Sequence, residues 1–417
     1  MARGLTGLRR PNALVPVRSR VLEPDRWLAA VVQRSIARER VGLRLWDGSS
    51  AYDGVRPPIG DLLVHDRRTL VGLAINPELA FGEAYMSGRL EVRGSLEPVV
   101  EALSRLPARS TWFDRAAAWV STPNSLATSR RNVHHHYDLG NDFYALWLDP
   151  QLVYTCAYFA RPEMSLAEAQ TAKLDLVCRK LALRPGDTVI EAGCGWGALA
   201  LYMARRYGAR VRAFNISREQ LTFARARAAR EGVTSLVEFV EDDYRNVTGR
   251  FDVFVSVGML EHVGRHHFPT LAGVLRRVVT PDGGRGLLHF IGRDRPRPLN
   301  PWIRRRIFPG AYPPTLAEVT AHVLEPAGMS VVDIENLRLH YARTLTHWSD
   351  QFAEARDRVT MRYGEEFARA WELYLAGSEA AFAAGWMQLF QIVFTPHMSP
   401  PPSWIRTDPW VPDEMSV

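Results

Sequence analysis

The run VIEAGCGWGALALYMARRYGARVRAFNISREQ, Val189 to Gln220, decides the fold. Val189 to Ala192 is short and apolar, which suits a strand in a parallel sheet covered on both faces. Gly193, Gly195 and Gly197 then alternate with Cys194 and Trp196. Glycines there let the chain turn sharply and let a ligand approach the main chain without meeting a Cβ. Ala198 to Tyr207 carries good helix formers and ends at a glycine stop, Gly208; Arg210 to Phe214 is the next strand. The result is one βαβ unit with its glycine turn at the carboxyl end of the first strand, where open α/β sheets bind ligands. Gly-x-Gly-x-Gly differs from the dinucleotide spacing, and no Gly-Lys-Ser/Thr follows, which excludes a P-loop. An ordinary tight βα turn is the plain alternative.

With Glu191 ahead of the glycines, the pattern resembles that of class I S-adenosylmethionine (SAM) methyltransferases. Such folds place an acid at the end of the second strand for ribose hydroxyls. Here that place reads Asn215-Ile-Ser-Arg-Glu-Gln220, which points to a narrower family. Val237 to Val240 is a third strand, ending in Glu241-Asp242-Asp243-Tyr244-Arg245; an acid there suits an adenine amino group, or a solvated loop. Phe251 to Val257 is a fourth, followed by Gly258-Met-Leu-Glu-His-Val-Gly264, and Leu287 to Ile291 a fifth, carrying His289. Strands alternating with helices predict an α/β, Rossmann-like doubly wound sheet.

The 417 residues suffice for two domains, and 47% hydrophobic with 23% charged residues is ordinary for a globular chain. Net charge is +7, nearly all of it arginine; Lys173 and Lys180 are the only lysines. The excess suits nucleic acid or acidic lipid headgroups, or reflects arginine-favouring codons. Cys156, Cys178 and Cys194 show no paired spacing, so neither a disulfide framework nor a zinc site is implied, consistent with the cytoplasm. No run approaches the ~18 apolar residues of a membrane span. The basic N-terminus lacks the apolar core of a secretory signal.

Residues 1–25 read as a basic tail, 26–110 as a smaller α+β domain, 111–130 as a linker, 131–400 as the catalytic domain and 401–417 as a Pro-rich tail. In the α+β domain Trp27 to Arg38 reads as a helix, and Val41 to Trp46 with Ser50 to Val55 as a hairpin around Asp47-Gly48. Asp61 to Asp66 continues that sheet, and Leu73 to Leu90 has helical spacing. Trp112, Phe113 and Trp119 in the linker suit packing or an interface with lipid. His134-His-His136 has no partner ligands at metal spacing, so no metal is assigned. Ser165 to Leu183 is an amphipathic helix, with Ser165 and Glu168 at capping-box spacing. From Arg293 to Arg306 arginines interleave with Pro301, Trp302 and Ile303, fitting a phospholipid headgroup as well as nucleic acid, but no RNA-binding module accompanies them. From Thr315 the chain reads as helical, with a long apolar stretch from Ala368 to Gln391.

Several blocks, in order, resemble cyclopropane-fatty-acyl-phospholipid synthases, the group that includes mycolic acid cyclopropane synthases. They are Tyr137-Asp-Leu-Gly-Asn-Asp, Tyr154-Thr-Cys-Ala-Tyr-Phe, Gly193-Cys-Gly-Trp-Gly, Val257 to Gly264, Ile307-Phe-Pro-Gly310, Tyr341-Ala-Arg-Thr-Leu and Gln388-Leu-Phe-Gln. Phe81-Gly-Glu-Ala-Tyr-Met resembles the N-terminal domain of the bacterial enzymes, which helps to bind lipid and form a dimer. The resemblance implies transfer of the SAM methyl to a cis double bond of a phospholipid acyl chain. The carbocation that results loses a proton from the new methyl and closes a three-membered ring. It also implies a bound bicarbonate as base, held by Cys156, Glu261, His289, Ile291 and Tyr341, and SAM held by Tyr154, Thr155, Gly193, Gly195, Asn215, Gln220, Asp243 and Tyr244. Tyr158, Tyr312, Trp302, Phe308 and Tyr341 are candidate aromatic faces for the cation, or simply core. The implied setting is the inner face of the cell membrane, with a bilayer of unsaturated and anionic phospholipid as partner, a homodimer and no nucleic acid.

Two positions depart from the family pattern: Ser378 replaces a late cysteine, and Phe290 a threonine between His289 and Ile291. The mechanism needs no nucleophile, so activity is expected. The retained Glu261-His262 pair favours the ring; the alternative is a C-methyltransferase giving methylene-branched chains. A silent lipid binder is opposed by the intact Gly193, Glu261, His289 and Tyr341, and an RNA methyltransferase by the missing Asn-Pro-Pro-Tyr-type motif.

Overall fold

The computed structural model describes residues 20–106 and 139–399. The expected linker at 111–130, both tails from 1–19 and 400–417, and His134 to Asp138 therefore lie outside the described residues. The chain divides into two compact units, Met1–Ser95 and Leu96–Val417.

The first unit is a small α+β body. Helix α1 (Glu23–Ile36) precedes strand β1 (Val41–Arg44), then β2 (Gly60–Val64), helices α2 (Arg67–Ile75) and α3 (Pro77–Met86), and strand β3 (Leu90–Arg93). The sheet order is β1-β2-β3, with β1 parallel and β3 antiparallel to β2. The buried amide of Gln33 ties α1 to β1, donating to the Val41 carbonyl at 2.9 Å and accepting from the Leu43 N–H at 2.7 Å. Arg67 forks onto Asp25 at 2.5 and 2.7 Å, joining α2 to α1.

Two expectations fail in this unit. The Asp47-Gly48 turn forms, with the Gly48 N–H on the Leu45 carbonyl at 2.9 Å, but the returning chain stays alongside only to Ala51. Beyond it Tyr52 folds back to the Arg56 carbonyl at 2.7 Å. The expected strand Ser50 to Val55 is thus a single bridge, and β1 pairs with β2 instead. The single helix expected over Leu73 to Leu90 is broken at Asn76, which caps α3 by accepting from the Leu79 N–H at 3.3 Å, and Leu90 already belongs to β3.

The second unit starts with α4 (Leu96–Ser104) and, beyond the undescribed stretch, α5 (Asn141–Tyr144) and α6 (Leu166–Lys180). Ser165 and Glu168 form the expected capping box of α6. There follow β4 (Thr188–Ala192), α7 (Ala198–Tyr207), β5 (Arg210–Asn215), α8 (Arg218–Arg230), β6 (Val237–Glu241), β7 (Val253–Val257), α9 (Leu260–Val263), α10 (Phe268–Val278) and β8 (Arg285–Gly292). Helix α11 (Pro301–Arg306) leads to α12 (Leu316–Val319), which runs through a π-helical turn, Thr320–Leu324, into Glu325–Ala327. The chain ends with β9 (Met329–Asn336), α13 (Arg338–Tyr363), α14 (Glu365–Ala383) and β10 (Gln388–Pro396). Seven strands order as β6-β5-β4-β7-β8-β10-β9. β6 through β8 run parallel, and β10 lies antiparallel to both β8 and β9.

The glycine-turn βαβ unit stands as read, with β4 in the middle of the parallel strands. The helical reading after Thr315 does not hold throughout, since β9 and β10 complete the sheet there. β10 is buried along all but its last residue, so it carries no alternation to separate it from a buried helix. Arg338 ends α14 by donating to the Phe382 and Ala383 carbonyls, and the chain then turns through Gly385 at φ 82° into the strand.

Candidate active site

One cavity opens at the carboxyl ends of β4, β5 and β7, at the glycine turn. All eight residues expected to hold SAM line it: Tyr154, Thr155, Gly193, Gly195, Asn215, Gln220, Asp243 and Tyr244. The turn is tight because the N–H groups of Gly193 and Cys194 both reach the Phe214 carbonyl at 3.0 Å. All three glycines have positive φ, and a Cβ at Gly195 would meet no protein atom, so the backbone there is open to a ligand.

Side chains at the strand ends hold this loop. Asn215 donates to the Gly195 carbonyl at 3.1 Å and to Gln220 Oε1 at 2.7 Å. Asn215 thus steadies the glycine turn from the place where an acid usually stands. Asp243 is buried and accepts both prongs of Arg245, at 2.7 and 2.8 Å, which anchors the carboxylate at the cavity wall.

The cavity also has lining residues absent from the expected set. Glu191 is 2% exposed, accepts from the Ala200 backbone in the first turn of α7, and has Oε2 buried without a partner. Lys173 of α6, also 2% exposed, donates to Thr155 Oγ1 at 2.8 Å. Burial raises the pKa of Glu191 and lowers that of Lys173, while their mutual attraction opposes both shifts. Trp196 donates to Asn141 Oδ1 at 2.7 Å, and His262 and Phe308 form the far wall with ring centres 5.9 Å apart. The signal for Lys173 was in the sequence: one of two lysines among 52 basic side chains, set on an amphipathic helix.

The five residues expected to hold an anion do not line this cavity. They are buried or half-buried outside its lining. Glu261 Oε1 accepts the Ile291 N–H at 2.7 Å, and the His289 carbonyl accepts from Gly258 at 2.8 Å, which links β8 to the turn before α9. Cys156 Sγ lies 3.9 Å from the Leu337 carbonyl, to which the Tyr341 N–H also donates at 3.1 Å. Leu337 in turn donates to the Leu389 carbonyl, and Leu389 is the cross-strand partner of Ile291. Glu261 and Ile291 therefore touch, while Cys156 and Tyr341 meet one strand away.

Burial governs the charge of these residues. It raises the Glu261 carboxyl to about 7 and pushes the Cys156 thiol up, so the thiol stays protonated. The His289 imidazole is held well below its usual value, first by burial and then by the ammonium groups of Lys173 and Lys180. Glu261 Oε2 and His289 Nε2 are both buried without a partner. A small oxyanion with one protonated oxygen fits such a pair, offering an acceptor to one and a donor to the other.

Aromatic rings enclose the same region. Tyr154 OH lies 2.7 Å from Tyr374 OH, and Tyr144, Trp147, Trp348 and Trp371 pack around them with neighbouring ring centres within 5.9 Å. Of the expected cation-facing rings, Phe308 lines the cavity, and Tyr341 packs on Phe382 at 4.4 Å. Tyr158 instead stacks near His340, Tyr312 is tied to Glu318 at 3.0 Å, and Trp302 is buried in α11.

Comparison with known proteins identifies the group. Residues 124–392 match the family model of mycolic acid cyclopropane synthetase. The chain belongs to this family. Residues 29–110 match a second model, a domain of unknown function. A probable fatty acid methyltransferase of Pseudomonas putida is 37% identical over 359 residues, covering 84% of this chain and 90% of that one. The cyclopropane-fatty-acyl-phospholipid synthase of Escherichia coli is 40% identical over 261 residues, 62% of this chain and 66% of that one. The structure of mycolic acid cyclopropane synthase CmaA1 complexed with SAH and CTAB superposes with a TM-score of 0.60 at 30% identity, covering 64% of this chain and 97% of that one. This family member is accordingly an enzyme of the SAM-dependent methyltransferase class, built on the class I fold.

Proposed function

We propose that the enzyme transfers the methyl group of SAM to a cis double bond in phospholipid-bound unsaturated acyl chains and closes a cyclopropane ring, with bound bicarbonate as base. The observation that carries this reading is that Glu261 Oε2 and His289 Nε2 are both buried and unpartnered, on residues joined through β8 by the Glu261–Ile291 hydrogen bond. A transferase delivering a methyl to a nucleophilic nitrogen or oxygen needs no such buried polar pair. Here SAM supplies the methyl group, and bicarbonate a base small enough to reach a carbon no tethered carboxylate approaches. Glu261, with Oε1 fixed by Ile291, accepts a proton-bearing oxygen of the anion through Oε2; neutral His289 donates to another; Cys156 and Tyr341 close the shell. A cation on an acyl chain in so apolar a site is costly. Tyr154 and Phe308, which line the cavity, offset part of that cost through their ring faces, by about 0.5–2 kcal/mol each.

The substrate side follows from α11. Its arginines, Arg304 to Arg306, precede Phe308 and Pro309, which already line the cofactor cavity, and Arg297 stacks over Trp386 at 4.0 Å. Cations leading into an apolar wall suit an anionic phospholipid whose acyl chain enters the site. No helix among the described residues is long and apolar enough to cross a membrane. We place the enzyme at the inner membrane face, bound peripherally, as a homodimer and without nucleic acid; vesicle co-sedimentation and light scattering of the full chain test both.

The experiment is incubation with vesicles of cis-unsaturated phospholipid and methyl-labelled SAM, followed by NMR of the released acyl chains. Upfield cyclopropyl protons are expected. Exocyclic methylene signals would establish the second reading, a C-methyltransferase, which the similarity to a probable fatty acid methyltransferase favours. No label in lipid would refute both.

A further inference from the structure

The only two lysines of the chain, Lys173 and Lys180, stand seven residues apart on α6, and each is 2% exposed. Two helical turns put them on one face. Lys173 reaches the cofactor cavity. Lys180 reaches the sheet, where β9, β10 and β8 present one row of side chains: Glu335 pairs with Gln391, and Gln391 with His289. Cross-strand partners point to the same side of a sheet. The Lys180 ammonium therefore caps a polar row running toward the unpartnered Nε2 of His289.

The direction of every hydrogen bond in that row follows from its first member. An ammonium can only donate. Lys180 Nζ lies 2.7 Å from the Gln391 side chain, so the atom facing it is the carbonyl oxygen, Oε1. The amide nitrogen of Gln391 must then face His289, and it lies 3.0 Å from Nδ1. An amide NH₂ only donates, so Nδ1 accepts and carries no proton. A neutral imidazole without a proton on Nδ1 has it on Nε2. Glu335, 2.5 Å from the ammonium, and Asp333 at 3.7 Å place carboxylates on the other side of Lys180. Gln391 is completely buried, so no solvent competes for its amide.

We infer that Lys180 and Gln391 are positioning residues, a relay that locks His289 in the Nε2–H tautomer so that it presents a hydrogen-bond donor to the reaction site. The inference rests on the proposed role of His289 in holding an anion: an imidazole with its lone pair turned inward would repel one. The low pKa of His289 is consistent with the neutral ring the relay requires. Arginine, bulkier and with its donors spread across a plane, does not offer one compact donor in this space.

Nitrogen-15 labelling of histidine in the full chain, read by long-range proton–nitrogen correlation, reports the tautomer directly. His289→Asn assigns the signal among twelve histidines. The wild type is expected to show the Nε2–H pattern. Gln391→Glu keeps the shape and the Lys180 contact but makes both atoms acceptors. It should move the ring proton to Nδ1 and lower turnover at least about a hundredfold, as a wrong histidine tautomer does elsewhere, with SAH affinity within about threefold of wild type. Lys180→Met should leave Gln391 free to turn over and yield a mixture of tautomers. An Nδ1–H pattern in the wild type, or Gln391→Glu with both the Nε2–H pattern and full turnover, would overturn the relay. Full activity of His289→Asn would instead remove His289 from the reaction site, while the spectrum still judges the relay.

Discussion

The three glycines of the turn look equivalent in the sequence, yet the structure separates Gly197 from Gly195. At Gly197 φ is 81°, and a Cβ would lie 2.8 Å from Phe239 Cζ and 2.9 Å from Ala224 Cβ, both in the core between α7, α8 and β6. Gly197→Ala therefore meets two costs. Left-handed backbone costs an alanine about 1–2 kcal/mol. Forcing a methyl into packed core adds about 1–3 kcal/mol, for a sum of roughly 2–5 kcal/mol. Gly195 has φ 53° and open space at the Cβ position, so Gly195→Ala meets only the first cost, and its methyl points where the cofactor is expected. Calorimetry of the full chain should place the transition that SAH raises roughly 3–8 °C lower in Gly197→Ala and only roughly 2–3 °C lower in Gly195→Ala. Titration with SAH should show the reverse order, with Gly195→Ala weakened about tenfold or more. Equal melting shifts in the two variants, or unchanged SAH affinity in Gly195→Ala, would refute this division between packing and binding.

Glu261→Gln should abolish turnover while SAH affinity, read by titration, stays nearly unchanged. Because burial raises the Glu261 pKa from 4.5 to about 7, the folded state holds a proton the unfolded state has lost, and this contribution to stability disappears as pH rises from 4.5 to 7. The wild type should thus lose up to roughly 3 kcal/mol relative to Glu261→Gln across that window, measured by denaturant unfolding at several pH values; a pH-independent difference would contradict the buried assignment. His262 has the opposite sign: its pKa is lowered from 6.5 to about 4, so the stability it contributes is lost as pH falls through that range, and His262→Gln should flatten the acid limb of the same curves. Lys173→Met removes the bond to Thr155 and the charge facing Glu191, and should cost about 1–3 kcal/mol of stability in the same assay together with weaker SAH binding.

The parts of the fold readable in the sequence are those where local chemistry and tertiary placement agree. The βαβ unit at Val189 to Asn215 carries a short apolar strand, glycines at positive φ and a helix stopped by Gly208, each sufficient by itself. Ser165 and Glu168 announce α6 in the same way. β10 was hidden because Gln388 to Thr395 is buried on both faces between β8 and β9, and periodicity cannot separate such a strand from a buried helix. The hairpin at Asp47-Gly48 misled for a different reason: the turn forms, but after Ala51 the chain leaves β1 and Tyr52 folds back onto the Arg56 carbonyl, while β1 takes β2 as its partner.

The site divides along the same line. Gly193, Gly195, Asn215 and Asp243 stand at strand ends, where a motif can be recognised, and all four reach the cavity. Lys173 and Lys180 sit on the buried face of an amphipathic helix and Gln391 inside a buried strand, where a polar residue looks like a lapse in pattern. A buried ammonium is expensive unless its donors are satisfied. An arginine-rich chain that keeps lysine at two buried positions and nowhere else has therefore placed a constraint there that arginine does not meet. The partners show what it is. Lys173 donates to Thr155 at the cofactor, and Lys180 donates to Gln391 before His289 as well as to Glu335, in each case from one compact ammonium rather than a planar fork. Local rules break where function demands it, so polar exceptions in an apolar stripe are as informative as the motif they support.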